Sequence, residues 1–384
     1  MVGGVIHSQA AINTIAVVHE WLITFAGSES VVEQILTLYP DADLYSLVDF
    51  LPEADRGALL GKKARTSFIQ YLPCARSKYR SYLPFMPYAV ERFDLSKYDL
   101  ILSSSHAVAK GVRKRSGQLH ICYCHTPMRY AWDLKEQYLR EARLDKGIRG
   151  YAARRILDRL QAWDARTAEG VDYFIANSRY IADRIKAAYE RESTVIYPPV
   201  DVERFGLCTE KDDYYLAASR IVPYKRINLI VEAFAHMPDR QLVVIGDGPG
   251  FNEIKSTASS NIVLLGYQSQ DVLIKYLQRA KAFIFAAEED FGILPVESQA
   301  CGTPVIAFGR GGALETVIEG ETGIFFFEQT SADIQNAVDK FEQIGRKFSP
   351  ILLRNNAERF GRKRFQHEYK SFVERAVMNH HFHD

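Results

Sequence analysis

No apolar run in this sequence approaches the roughly 20 residues that a bilayer-spanning helix needs. Cysteine is scarce as well: five residues in 384, at Cys74, Cys122, Cys124, Cys208 and Cys301. Disulfide scaffolds are short chains dense in cysteine, so that class is excluded. A structural zinc needs four ligands, whereas the close pair Cys122 and Cys124 has no second pair and only His125 beside it. Two residues apart in the apolar run Ile121-Cys122-Tyr123-Cys124, they would share one face of a strand and pack in the core. An excess of one charge is also missing, since 48 Lys and Arg face 47 Asp and Glu. That balance gives no electrostatic footprint for nucleic acid, and any basic site must be local. The stretch Met1–Ala11 has no basic segment leading into a long apolar one, as a secretory signal would. The expected compartment is reducing and cytoplasmic. Finally, no strand is followed by Gly-x-Gly-x-x-Gly: the first loop has Gly27, and Gly246-x-Gly248-x-Gly250 is wrongly spaced, against a nicotinamide dehydrogenase.

What is present is an alternation of short apolar runs and amphipathic segments over a length that suits two α/β domains. Strands are expected at Thr14–His19, Leu44–Val48, Asp99–Ser103, Leu119–Cys124, Asp172–Ala176 and Thr194–Tyr197. The second half repeats the scheme at Tyr214–Ala217, Gln241–Ile245, Ile262–Leu264, Ala282–Phe285, Pro304–Ala307 and Gly323–Phe326. Helices are expected at Ile227–Ala235, Phe251–Ser256, Gln270–Arg279, Pro295–Cys301 and Ala332–Gln343, with a last one near Arg364–Met378. This pattern predicts two doubly wound parallel-sheet domains in series. Two prolines in Tyr197-Pro198-Pro199-Val200-Asp201 exclude helix and mark the boundary, giving domains 1–199 and 200–363 with 364–384 as a terminal helix.

Chemistry concentrates in Glu288-Glu289-Asp290-Phe291-Gly292-Ile293-Leu294-Pro295-Val296-Glu297. A strand runs out into an acidic, glycine-containing turn and a helix begins near Pro295, leaving free amides at its start. Such an end binds phosphate, while flanking carboxylates accept paired hydrogen bonds from sugar diols. A capping turn with surface acids is the plainer alternative. Ser219-Arg220-Ile221-Val222-Pro223-Tyr224-Lys225 follows the first strand of the second domain, where doubly wound sheets bind ligands. There Arg220 and Lys225 could converge on a pyrophosphate, one as a fork and one as a point charge.

Arg220-x4-Lys225, Glu289-x7-Glu297 and Cys301-Gly302-Thr303-Pro304-Val305-Ile306 closely resemble the retaining GT-B glycosyltransferases of family 4. The resemblance extends to Ala26-Gly27-Ser28-Glu29, Ala176-Asn177-Ser178-Arg179-Tyr180, the diproline linker and Ile245-Gly246-Asp247-Gly248-Pro249-Gly250. Cys124-His125-Thr126-Pro127-Met128-Arg129-Tyr130 looks like a subgroup that builds cell-surface polysaccharide. Two departures are a single Gly27 where a pair is common, and Asp290 where glycine is usual. The resemblance implies two Rossmann-like domains facing a central cleft, with the last helix crossing back to the first, acceptor-binding domain. It implies Glu297 on the ribose, Glu289 on the hexose, and the amides of Phe291, Gly292 and Ile293 on sugar and phosphate. Arg220 and Lys225 would neutralise the leaving diphosphate, His125 would lie by the sugar's 6-hydroxyl, and Gly27 would let backbone approach phosphate. Gly246 belongs to the donor side, and loop contacts near Gly266-Tyr267 and Glu289 would select base and hexose. The expected partners are a UDP- or GDP-sugar of the glucose or mannose class and a glycan or polyprenyl-linked acceptor.

Three stretches stay secondary. His19, Glu20 and His106 end strands on the same side as His125. Asp41-Ala42-Asp43 could hold Mg²⁺ with a diphosphate, but it lies at the sheet's amino edge, so it is read as a turn and no metal or other cofactor is expected. The stretch Arg76–Tyr88 interleaves Lys78 and Arg80 with aromatics, as at membrane-interface or lipid-carrier sites, or as an ordinary acceptor-domain excursion. Peripheral contact with the inner membrane face is the corresponding expectation, with Arg129 on the same side. An epimerase on this scaffold and a non-catalytic sugar-binding subunit are the rival readings.

Overall fold

The computed structural model describes residues 14–132, 135–141, 146–344 and 348–381, so Met1–Ala11 lies outside the described residues. The chain divides into two compact units. Unit 1 runs up to Asn177, takes in Ile181–Ile196, and resumes at Gln366; unit 2 holds Ser178–Tyr180 and Tyr197–Phe365.

Unit 1 contains β1 (Ile15–Leu22), β2 (Asp43–Asp49), β3 (Arg65–Thr66), β4 (Leu100–Ser105), β5 (Leu119–Cys124), β6 (Tyr173–Ala176) and β7 (Ser193–Val195). They form one parallel sheet in the order β3-β2-β1-β4-β5-β6-β7. Unit 2 contains β8 (Tyr214–Ala218), β9 (Gln241–Ile245), β10 (Ile262–Leu264), β11 (Ala282–Phe285), β12 (Val305–Phe308) and β13 (Gly323–Phe326). Their order, β10-β9-β8-β11-β12-β13, is likewise parallel throughout.

Parallel strands covered on both faces read as continuous apolar runs, and the unit 2 strands behave so. Along β8, Tyr215 and Ala217 enter the core on one face of the sheet, while Leu216 and Ala218 enter the core on the other. The same alternation separates Ala282 and Ile284 of β11 from Phe283 and Phe285. In unit 1, Cys122 and Cys124 of β5 are both free and fully buried, and burial pushes the Cys124 thiol well up.

The sequence does not announce β3, whose two residues pair with Tyr45 and Ser46. It also misses the Pro350–Glu358 helix and the short helical turns between Glu53 and Val90. Among the described residues no helix is long and apolar enough to cross a membrane. In each sheet the strand order reverses once, between β1 and β4 and between β8 and β11. Beyond the carboxyl ends of the strands at such a reversal, the crossover helices leave to opposite faces and a ligand can enter. Both groups of candidate residues lie there.

Candidate active site

In unit 2 the loop after β8 is held by glycines elsewhere. Gly246 has φ +143°, and a Cβ on it would stand 1.8 Å from the Ser219 carbonyl oxygen. Gly248, at φ +155°, lies almost as near the Ile221 oxygen, which would stand 2.4 Å from a Cβ. Only glycine permits both the angles and the approach. The Ser219 and Ile221 amides donate to Ile245 and Asp247 oxygens at 3.1 and 2.9 Å. This clamp fixes a loop bearing the exposed Arg220 and, in a 3₁₀ turn over Pro223–Lys225, Lys225.

Beyond β11, the chain reaches Glu289 and then a helix over Ile293–Ala300, capped by Gly292 at φ +84°. The helix therefore starts two residues before the expected Pro295, because glycine turns the chain there in a left-handed conformation. The amides of Ile293 and Leu294 fall in its first turn, where no preceding carbonyl is in reach. Phe291 anchors the loop inward, its ring 5.8 Å from that of Tyr197 and 5.4 Å from Phe360. From beneath, Gly312 donates to Glu289 oxygen at 2.8 Å. A Cβ on Gly312 would lie 2.2 Å from Phe291 Cα, and one on Gly311 2.4 Å from Glu289 oxygen. This glycine pair went unnoticed in the sequence, although a doubled glycine just after a buried strand is its visible sign.

The two loops meet. Lys225 Nζ forms an ion pair with the Glu289 carboxylate, both side chains about one-fifth exposed. Tyr267 stands on the surface beyond β10, following Gly266 at φ +66°. Glu297, on the Ile293–Ala300 helix, is pushed up to about 7, mainly by burial and then by the nearby charge of Asp201. If its carboxylate takes the ribose hydroxyls, donor KM should rise on acidification, with a limiting slope of about tenfold per pH unit below about 7. Glu297→Gln should abolish that slope. A wild-type donor KM independent of pH across this range would remove Glu297 from the ribose.

In unit 1 the β1–β4–β5 edge gathers more titratable groups than the sequence suggested. The His125 amide donates to Ser105 oxygen at 2.8 Å, its ring Nε2 lies 2.8 Å from Ser104 Oγ, and its carbonyl accepts from Asn177 at 3.0 Å. Burial, then the charges of His106 and His19, push its pKa down to about 3. His125 is thus a neutral hydrogen-bonding ring throughout the physiological range. Burial alone would raise Glu20, but His106, His19 and the amides of Ala107 and Ala109 bring it down to about 2. Gly27 opens the Gly27–Leu38 helix, and Glu29 Oε2 accepts from the preceding Ala26 amide at 3.1 Å.

The remaining candidates lie apart from this edge. Asp43 begins β2 at the sheet's amino end and is engaged by Lys97 at 2.9 Å, Arg65 at 3.2 Å and the Tyr98 hydroxyl. Among the described residues no group of three or more His, Cys, Asp or Glu could hold a metal ion. Lys78 and Arg80 are exposed, whereas Arg129 is half-buried.

Two family descriptions match the chain: Glycosyltransferase Family 4 over residues 44–204 and Glycosyl transferases group 1 over residues 200–364. An uncharacterized glycosyltransferase of Methanocaldococcus jannaschii is 28% identical over 198 residues, 50% of this chain and 55% of the relative. A GDP-mannose-dependent monoacylated alpha-(1-6)-phosphatidylinositol monomannoside mannosyltransferase of Corynebacterium glutamicum is 32% identical over 178 residues, 38% of this chain and 47% of the relative. The chain spans about half the length of the curated relatives it matches. Among solved structures, sucrose-phosphate synthase of Thermosynechococcus elongatus has a TM-score of 0.72 at 18% identity, covering 96% of this chain and 100% of that one. HepE of Anabaena, in complex with UDP-glucose, has a TM-score of 0.66 at 17% identity, covering 94% and 100%. The fold is GT-B, two Rossmann-like α/β units built on parallel sheets. The chain belongs to the GT-B glycosyltransferases of family 4.

Proposed function

We propose that the protein transfers a hexose, glucose or mannose in class, from a UDP- or GDP-sugar to a glycan or lipid-linked sugar, with retention of the anomer and without a metal. The observation that carries this reading is the meeting of Lys225 and Glu289 from separate loops at the β8/β11 reversal, beside the helix start at Gly292. A cation, a carboxylate and free amides within one unit suit a diphosphate carrying a sugar. Lys225 and Arg220 supply the positive potential that Mg²⁺ supplies elsewhere, while Asp43 is already held by Lys97 and Arg65. By their names, HepE binds UDP-glucose and the Corynebacterium relative uses GDP-mannose, which supports a UDP- or GDP-sugar as the donor.

Glu289 is assigned to hexose hydroxyls and Glu297 to ribose, so neither stands behind the anomeric carbon as a nucleophile. The acceptor oxygen then attacks on the face from which the diphosphate leaves. The bond from anomeric carbon to phosphate oxygen breaks, the new glycosidic bond forms, and the acceptor proton passes to the diphosphate. A double displacement through one carboxylate would require a pair of carboxyls about 5 Å apart flanking that carbon.

The acceptor is assigned to unit 1 and reaches it at the inner face of the cell membrane. Phe68, Tyr71, Phe85 and Tyr88 are exposed there within one stretch that also exposes Arg76, Lys78 and Arg80, and the Phe68 and Tyr88 rings lie 6.0 Å apart. Aromatic rings with basic neighbours suit an anionic bilayer surface.

One assay tests the whole reading: UDP- and GDP-sugars, each with a soluble glycan or with a polyprenyl-linked sugar in anionic vesicles, with excess chelator throughout. Transfer should survive the chelator, favour the vesicle-borne acceptor and give the donor's anomer by NMR. An inverted anomer, a hexosyl adduct on either glutamate by mass spectrometry, activity restored only by Mg²⁺, or an epimerised donor without transfer would overturn it.

A further inference from the structure

His19, on β1, is fully buried, and both of its ring nitrogens face acceptors. Nδ1 lies 3.1 Å from the Ser104 main-chain oxygen and 3.7 Å from Glu20 Oε2. Nε2 lies 3.4 Å from Glu29 Oε1. A neutral imidazole has one N–H, so it would turn a lone pair toward one of these acceptors. Only the doubly protonated ring offers a donor on each side.

The surrounding groups favour the same state. Glu20 Oε1 accepts from Ser105 Oγ at 3.0 Å and from the His106, Ala107 and Ala109 amides at 2.9, 2.8 and 3.1 Å. Glu29 Oε2 accepts from the Ala26 amide at 3.1 Å and Ser28 Oγ at 2.9 Å. Donors converging in this way hold both carboxylates ionised. The other titratable rings nearby are His106, 5.9 Å from His19 between ring centroids, and His125 beyond it. Burial lowers both, and His106 shares Glu20 with His19, its Nδ1 lying 3.2 Å from Glu20 Oε2. Burial also lowers His19, but Glu29, Glu20 and Ser104 outweigh it and raise the pKa above the ordinary 6.5.

The contacts of this ring reach in two directions. Through Glu29 it holds the Ala26 amide, at the turn that carries Gly27 into its helix. Through Ser104 it holds the residue whose Oγ lies 2.8 Å from His125 Nε2. We infer that His19 is a positioning residue, a buried imidazolium that fixes the Ala26–Gly27 turn and the Ser104–His125 pair in one arrangement. Its catalytic consequence rests on the function proposed above, whereas its charge does not. A group raised in this way contributes below its ordinary pKa and loses the contribution as pH rises through the folded value. The bracket should therefore loosen on the alkaline side.

The test is ¹⁵N-histidine NMR on the full chain beside a pH profile of kcat. Both His19 nitrogens should be protonated below a titration midpoint that lies above 6.5. Glu29→Gln keeps an acceptor for Ala26 but removes the charge, so the midpoint should fall and the alkaline limb of kcat should move to lower pH with it. Ser104→Ala should lower kcat and leave the His19 midpoint in place, because the backbone carbonyl remains. A His19 midpoint at or below 6.5, or a midpoint unmoved by Glu29→Gln, would overturn the assignment of charge. A moved midpoint with an unmoved alkaline limb would overturn the positioning role. Failure of hexose transfer itself would leave the NMR result standing, so the two readings fail separately.

Discussion

Lys225→Ala should lose about 10²–10³-fold in kcat, the cost usually seen when one preorganised group facing developing charge is removed. The charge grows on the departing diphosphate, and Lys225 is the cation that the clamp at Gly246 and Gly248 holds next to Glu289. The fold should survive, because the ion pair is partly exposed and pairs of that kind contribute little to stability. An unchanged unfolding temperature with a collapsed kcat is the expected pairing of results. Turnover near the wild-type rate would mean that another group carries the leaving charge.

Gly312→Ala should be nearly as damaging by a different route. The added methyl would sit 2.2 Å from Phe291 Cα and 2.4 Å from its oxygen, and backbone cannot swing aside as a flexible side chain can. The loop from Glu289 to Gly292 must shift, Phe291 must leave its place between Tyr197 and Phe360, and the start of the Ile293–Ala300 helix shifts with it. Overpacking of this kind costs about 1–3 kcal/mol, so both thermal stability and kcat/KM for the donor should fall. Gly57→Ala is the control, since a methyl there meets nothing within 4 Å. If Gly312→Ala matched wild type in both measurements, the glycine pair would have no part in shaping the donor loop.

Unit 2 was the more legible half of the sequence. The expected strands Gln241–Ile245, Ile262–Leu264, Ala282–Phe285 and Gly323–Phe326, and the helices Ile227–Ala235 and Gln270–Arg279, coincide with the observed elements. Their apolar runs are short, continuous and bounded by polar or glycine residues, the pattern that two-sided burial imposes. Strand β1 runs three residues past the expected His19 because His19 and Glu20, polar in sequence, are buried in the sheet. The segment from Glu53 to Val90 offered no period to read, and the structure forms short turns there rather than long elements.

The candidate site divides in the same way. Arg220, Lys225, Glu289 and Glu297 lie in compact motifs after strands, so their neighbourhood could be inferred from the chain itself. The pairing of Ser104 with His19 spans 85 residues and depends on β1 lying beside β4. Gly311 and Gly312 act through atoms of a loop some twenty residues earlier in the chain. The first relation leaves no local trace, and the second leaves only the doubled glycine.

The course of the chain also sets an order of assembly. The Arg362–His381 helix follows the rest of unit 2 in the chain, yet from Gln366 onward it completes unit 1. Its fully buried Tyr369 lies 6.4 Å from Tyr123, Phe372 lies 6.0 Å from Tyr173, and Gln366 donates to Gln34 at 2.7 Å. During synthesis, Tyr123 and Tyr173 therefore wait without these partners until the whole of unit 2 has been made. Unit 1 is begun before unit 2 and closed after it.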